Sequence, residues 1–272
     1  MERLQKKIEH LISGIRRFES LMIAYSGGVD STLLLSVAHE LLGSRVVAIT
    51  SSSKVHPQDE IEAAVKIAGE MGVRHVVLET DEMSIPEFTA NPHNRCYICK
   101  KHLVEAFRKK ANELGIADIA HGANVDDLQD VRPGFAAAEE MGIHAPLLDS
   151  GFTKEDIRLL SKERGLPNWE KPAMACLATR IPYGISITEN MLRMIGSAEN
   201  FLRKKGFSGC RVRHHGDIAR IEVRQQDFQK MLDPEMRVHV FRGLKKIGYL
   251  HIALDLEGYV QGSMNRKPLN GS

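Results

Sequence analysis

Between residues 21 and 165 short strand-like runs alternate with helical stripes, and no other feature narrows the possible folds as much. Leu21–Tyr25, Val46–Thr50, His75–Leu78 and Asp118–Gly122 read as strands. Between them, Leu33, Leu34, Val37 and Leu41 keep helical spacing, as do Ile61, Ala64, Val65, Ala68 and Met71, and the segment 101–114. Gly43 and Gly115 close the first and last of these helices. Pro57 opens the middle one, with acids near its positive dipole end. Leu4, Ile8, Leu11, Ile12 and Ile15 form an earlier stripe. Ala145–Leu148 is expected as a further short strand, and Thr153 as the cap of a helix running to Arg164 and closed by Gly165. Such alternation predicts an α/β domain with a parallel sheet covered on both faces, whose ligands sit at the carboxyl ends of the strands. Three segments fall there: Ser26–Ser31, Thr50–Ser53 and Gly122–Asp127.

The pattern changes near residue 180, where Pro182 and Gly184 interrupt the chain. A helix carrying Leu192, Ile195, Ala198 and Leu202 leads into alternating strands at Cys210–His215 and Ile218–Arg224. A helical region and a strand at Tyr249–Leu254 follow. We therefore expect two domains, 1–180 and a smaller α+β domain over 181–272. No internal repeat or low-complexity tract is apparent.

Lys and Arg total 37 against 35 Asp and Glu, a net charge of +2, which argues against wholesale wrapping of nucleic acid. No uncharged stretch approaches the roughly 20 apolar residues that a spanning helix needs. The first 18 residues are charged throughout and lack an apolar secretory core, so a cytoplasmic location is expected. In that compartment the four cysteines read as thiols or metal ligands rather than disulfides.

The strand–SGGVDS–helix junction carries the clearest chemistry. Gly27 and Gly28 let the backbone turn tightly and approach a ligand, while the following helix start offers N–H groups to an anion. Ser26 and Ser31 add hydroxyls. The lysine of a GxxxxGK[ST] loop is missing. Asp30 stands where a phosphate loop avoids negative charge, a conflict that a bridging Mg²⁺ resolves. The plain reading is a turn with Asp30 as a helix cap. The string AYSGGVDST resembles the pyrophosphatase loop of the N-type ATP pyrophosphatases, matching at Ser26, Gly27, Gly28, Asp30 and Ser31. That resemblance implies cleavage of ATP between its α and β phosphates, adenylation of an oxygen, and displacement of AMP by nitrogen or sulfur. The position past the second strand end then places the adenosine near Thr50–Ser53, with Thr50 and Ser51 as candidate contacts. Asn124 and Asp127 would face the same cleft, and Arg132 and Arg180 would neutralise pyrophosphate. Asp126 and Asp127 also read as a capping pair without chemistry.

Cys96 and Cys99 form a C-x-x-C in NRCYICKKH, immediately before the expected helix. It suits zinc with His93 or His102, an Fe–S cluster, or a redox pair. Cys176 lies in a Pro- and Gly-bounded loop near Arg180, a cation that favours the thiolate; the plain reading is a packed thiol. Cys210 opens a strand and reads as a small buried residue.

Six segments together resemble the LarE family nearly end to end: AYSGGVDST, NRCYICK, HGANVDDLQDVRPG, LPNWEKPAMACLATRIPYG, CRVRHHGDIARIEV and GYVQGSMN. These are pyridinium-3,5-biscarboxylic acid mononucleotide sulfurtransferases of nickel-pincer nucleotide biosynthesis. The resemblance implies ATP-dependent activation of a carboxylate and sulfur delivery to make a thiocarboxylate, in two rounds. One form of the family sacrifices the sulfur of a single cysteine, which matches Cys176. The other holds a [4Fe–4S] cluster on three cysteines, which match Cys96, Cys99 and Cys176. All three are present here, so the cluster form is expected. Three thiolates leave one iron open, as a catalytic metal site requires. Val260 stands where the single-cysteine form has a basic residue in GYxxGSMN. The family further implies a homo-oligomer, often a hexamer.

From Arg203 to Arg224 seven Lys/Arg face two acids. Alternation puts Arg211, Arg213 and His215 on one strand face. Such a row is either a solvated face or a phosphate and carboxylate site; the resemblance favours Arg211 and Arg213 as substrate contacts. Glu222 then reads as a metal ligand or a counter-ion. A rival reading makes the stretch an RNA groove in a tRNA thiouridine-forming enzyme, but no RNA-binding module is evident. Other rivals are amide synthesis with ammonia, and a nucleotide-gated metal or cluster carrier.

Overall fold

The first strand, β1 (Leu21–Ala24), lies between β2 (Val46–Ser52) and β4 (Asp118–His121), and β3 (Arg74–Glu79) flanks β2, giving the sheet order β3-β2-β1-β4. All three pairings are parallel. This computed structural model describes residues 2–129, 133–172 and 175–260; the side chains at 129 and 133–136 lie outside that description. The helices in chain order are α1 (Glu2–Ile15), α2 (Val29–Leu42), α3 (Gln58–Glu70), α4 (Pro86–Thr89), α5 (Arg95–Glu113), α6 (Pro133–Glu140), α7 (Pro146–Asp149), α8 (Lys154–Glu163), α9 (Glu189–Lys204), α10 (Phe228–Leu232) and α11 (Pro234–Ile247).

Alternate residues of β1 enter opposite cores, as the two-residue period of a strand requires. Leu21 and Ile23 join Val46, Ala48, Leu34, Leu160 and Ile15 on one face. Met22 joins Val47, Ile49, Ile119, Val104 and Phe107 on the other. Both faces are therefore covered at β1 and over most of β2, while edge strand β3 has no buried residue; the sheet is the expected parallel α/β layer. Strand order reverses beside β1, where the chain leaves β3 and returns on the far side as β4. The loop after β1 thus opens at a topological switch point.

One predicted strand is not formed. Residues 146–149 make a helical turn, because Pro146 takes its first position, and only His144 pairs with the sheet, through a single parallel bridge to Ala120. The Thr153 cap is present as a capping box with Asp156.

The chain divides into two compact units, residues 1–82 with 93–174 and residues 83–92 with 175–272. Nothing in the sequence pattern signals that 83–92 belongs with the C-terminal part. Asn91 accounts for it: its side-chain amide donates to the carbonyls of Pro182 and Ile185, both at 2.8 Å, while its own carbonyl accepts from Gly184 N–H at 3.0 Å. The second unit is α+β. Strand β5 (Arg211–His215) pairs antiparallel with β6 (Ile218–Glu222), which pairs parallel with β7 (His251–Leu254). Its core gathers Ala198, Leu202, Val212, Ile221, Val240, Leu244 and Tyr249. Among the described residues no helix is long and apolar enough to cross a membrane.

Candidate active site

The turn after β1 is built as the sequence predicts. Gly27 has φ +66°, and a Cβ there would stand 2.8 Å from the Ala64 Cβ, so only glycine fits. Gly28 caps α2 without a side-chain hydrogen bond, leaving the helix start open to an anion. Ser31 Oγ accepts from Ser26 N–H at 3.3 Å and donates to the Gly28 carbonyl at 3.2 Å. Gly122, past β4, is equally constrained, since a Cβ there would lie 2.8 Å from the Ser31 nitrogen.

Asn168, Lys171, Glu60 and Lys154 also serve this loop, and none of them stands out in the sequence as a site residue. Asn168 donates to the Gly27 carbonyl at 3.0 Å and to Thr32 Oγ1 at 2.8 Å. Lys171 reaches the same carbonyl at 3.3 Å and pairs with Glu60 at 2.5 Å. Lys154, in the first turn of α8, pairs with Asp30 at 2.5 Å. The signal for Lys154 was available: a cation in a helix's first turn opposes the macrodipole and needs a local reason.

Asn124 is buried and does gather beside the loop. Its Nδ2 donates to Asp30 Oδ1 at 3.4 Å, and its N–H to Asp127 Oδ2 at 3.0 Å. Asp126 accepts from the Lys154 N–H at 2.5 Å, so both aspartates act as staples of the loop. Thr50 and Ser51 lie within β2, which runs two residues beyond its expected end at Thr50. The Thr50 hydroxyl is committed, donating to the Tyr25 carbonyl at 2.5 Å and meeting His75 Nε2 at 2.8 Å. Burial lowers the His75 pKa. Arg132 lies outside the described residues.

The C-x-x-C is not before a helix but inside one. Cys96 and Cys99 occupy the first turns of α5, one turn apart on one face, half-buried and not disulfide-bonded. Burial lowers the pKa of the neighbouring Lys100, against the pull of both thiols. Lys100 and His121 line the same small void with Ala24, at the β1–β4 crevice. Burial, helped by the Lys100 charge, pushes His121 down to about 4. Among the described residues no three His, Cys, Asp or Glu side chains gather into a metal-holding group.

Cys176 belongs to the second unit. Its carbonyl accepts from the Thr179 N–H at 3.0 Å, the Thr179 hydroxyl at 2.8 Å and Arg180 Nη1 at 3.0 Å. Arg180, expected to meet pyrophosphate, is fully buried in this second unit and engaged there. Its guanidinium grips Glu199 at 2.8 and 3.0 Å and also the Ala175 carbonyl at 2.8 Å. Glu199 and the charge of Cys176 hold the Arg180 pKa up against burial. Nor are Arg211 and Arg213 a presented row: each is 5% exposed. Arg213 is bidentate to Glu222 at 2.9 and 2.7 Å, which makes Glu222 a counter-ion, and Arg211 lies over the Tyr259 ring at 5.0 Å.

Residues 17–91, which include the phosphate-binding turn, match the asparagine synthase family. Over 97% of its length the chain is 34% identical to the pyridinium-3,5-bisthiocarboxylic acid mononucleotide synthase of Lactiplantibacillus plantarum, covering 96% of that protein. The chain belongs to the LarE family. It is also 41% identical, over 97% of its length and 98% of the relative's, to an uncharacterized protein of Synechocystis. A GMP synthase of Aeropyrum pernix shares 25% identity over 67% of this chain and 39% of its own. As a LarE-family member with a PP-loop domain, the protein is an ATP-dependent sulfurtransferase, and its loop implies ATP with Mg²⁺. The residues present suit that pair: an open helix start for phosphate, and in Asp30 a carboxylate for the metal.

Proposed function

We propose that this LarE-family protein converts the two carboxylates of pyridinium-3,5-biscarboxylic acid mononucleotide to thiocarboxylates, the sulfur arriving through a [4Fe–4S] cluster on Cys96, Cys99 and Cys176. The observation that carries the reading is end-to-end similarity to a synthase whose name specifies that product, together with all three cysteines. The open start of α2 and the Ser26–Ser31 turn hold the phosphates. A substrate carboxylate oxygen bonds to the α-phosphorus as the α–β phosphoanhydride breaks and pyrophosphate leaves. Sulfide then bonds to the acyl carbon and AMP departs. The protein contributes position and charge neutralisation.

The donor chemistry suits the cluster. Cys96 and Cys99 share a helix face, and the backbone at Cys176 is held by three hydrogen bonds. When bound, such a cluster supplies transferable sulfide at an iron that lacks a protein ligand. Arg211 and Arg213 remain candidates for the substrate's phosphate and carboxylates, Tyr259 and Glu222 fixing where their guanidiniums lie. A homo-oligomer is part of the same reading.

Anaerobic purification, iron and sulfide analysis, and the product's mass test it together. We expect about four iron and four sulfide per chain, all lost in Cys176→Ala, and a product in which sulfur replaces carboxylate oxygen. Cluster-free protein that turns over repeatedly removes the cluster from the reading. Conversion of Cys176 to dehydroalanine assigns the protein to the sacrificial form instead. Steep, salt-dependent tRNA binding with thiolation redirects the reading to RNA.

A further inference from the structure

The first unit carries a second cleft, at the amino ends of its strands. Arg17 and Phe18 precede β1, and His144 Nε2 donates at 3.0 Å to Asp118, the first residue of β4. The phosphate-binding turn lies past the other end of β1. Between the end of α1 and the start of α7 the cleft encloses about 270 Å³, near the lower end of the range for small-molecule sites. We propose that it binds an aromatic mononucleotide, separately from the ATP site.

Three kinds of group meet there. His10, Gly14 and Arg17 follow one another at i, i+4 and i+7 and share one face. The helical turn continues past Ile15 to carry Arg17 onto that face, the Arg16 N–H bonding the Ile12 carbonyl at 3.0 Å and the Arg17 N–H that of Gly14 at 3.4 Å. Phe18 and His144 form an aromatic wall, their ring centroids 4.8 Å apart and their planes tilted by 57°. Asp149 adds a carboxylate. A mononucleotide presents the complementary set: a phosphate for Arg17 and His10, a flat ring for Phe18 and His144, and sugar hydroxyls for Asp149. An ionised carboxylate only accepts, so Asp118 keeps the His144 proton on Nε2 and leaves Nδ1 as the ring's second polar atom.

Gly14 is the observation that points to a ligand. Glycine within a helix is unfavourable relative to alanine. Here no neighbouring element comes within 4 Å of the place a Cβ would take, so packing inside the protein does not demand the glycine. Its missing side chain keeps the space between His10 and Arg17 clear. Among the described residues the side chains of His10, Arg17 and Asp149 make no hydrogen bond or ion pair, whereas Asp30 and Glu60 at the phosphate-binding turn are each paired with a lysine. The AMP freed by adenylation and the pyridinium mononucleotide proposed as substrate both belong to the ligand class, and the test separates them.

Calorimetry on the full chain decides the proposal, with Mg²⁺ and stoichiometric α,β-methylene-ATP added first to fill the turn. AMP titrated into that complex should still bind, at about one per chain. Gly14→Leu fills the cleft while favouring the helix, so it should weaken AMP roughly tenfold or more and leave pyrophosphate release at the wild-type rate. Arg17→Glu, at an exposed position, should weaken AMP by a similar factor and keeps the test if the leucine variant folds poorly. Ribose 5-phosphate, which lacks the ring, should bind roughly tenfold more weakly than AMP. Nicotinic acid mononucleotide in place of AMP identifies the source, the tighter ligand showing whether a pyridine or an adenine ring belongs there. Absence of AMP binding beyond the turn overturns the proposal, as does binding that the folded variants leave intact. Ribose 5-phosphate binding as tightly as AMP also overturns it, because that marks a phosphate site alone.

Discussion

The two units use charge in opposite ways. Around the phosphate-binding turn, Asp30–Lys154 and Glu60–Lys171 are single lysine contacts, each partner 18–30% exposed. In the second unit, Arg180–Glu199 and Arg213–Glu222 are bidentate and at most 6% exposed. Water reaches the Asp30–Lys154 pair and can replace a partner there. In the second, removing one charge strands the other in a medium that does not solvate it. Burial thus separates charges by what they do. The exposed pairs can change partners, and the dry pairs hold backbone in place, Arg180 at the Ala175 and Cys176 carbonyls and Arg213 at that of Thr179.

The largest effect should come from breaking a dry pair. Glu199→Ala leaves Arg180 uncompensated and unbinds the Val212 N–H, so the second unit should lose about 3–5 kcal/mol. Hydrogen exchange read unit by unit checks this, and restoration by the double variant Arg180→Met with Glu199→Leu would confirm that the stranded charge is the cause. A loss below that of the wet pairs would erase the contrast.

Next comes pH. His121 titrates near 6.5 when unfolded and about 4 when folded, so between these values the unfolded chain binds more protons. Stability of the first unit should therefore fall as pH drops through that window, by roughly 2–3 kcal/mol. His121→Gln should flatten the slope in a urea titration at pH 7 and pH 4.5.

Gly27→Ala forces a side chain into a left-handed backbone and against Ala64, which should cost about 1–3 kcal/mol and abolish pyrophosphate release. Full activity in this variant would mean that the turn is not the phosphate site.

Smallest of all, Lys154→Met should change melting by the equivalent of under about 1 kcal/mol. A large stability loss there would show that the Asp30 pair is structural after all, and the contrast between the units would blur.

The sequence made legible what local chemistry decides. Strand periodicity, the glycine turn and the Thr153 capping box all depend on near neighbours, and all are present. What it hid depends on residues far along the chain. Lys154 meets Asp30 across 124 positions and Asn168 meets Gly27 across 141. Arg180 and Arg213 read as uncommitted cations in the sequence because the carboxylates that partner them, Glu199 and Glu222, lie elsewhere along the chain. One hint existed: Glu199 falls on the apolar stripe with Leu192, Ile195 and Leu202, and a charge on a buried stripe demands a mate. The C-x-x-C was set before its helix because Arg95 and the polar residues after Cys99 mask the start of the amphipathic pattern.

The ten-residue loan from the middle of the chain to the second unit has a consequence for biosynthesis. Residues 83–92 leave the ribosome some ninety positions before Pro182 and Ile185, the acceptors that Asn91 needs. That segment must wait unpaired until those acceptors emerge, and a gene fragment encoding only 175–272 would yield a polypeptide with a built-in gap.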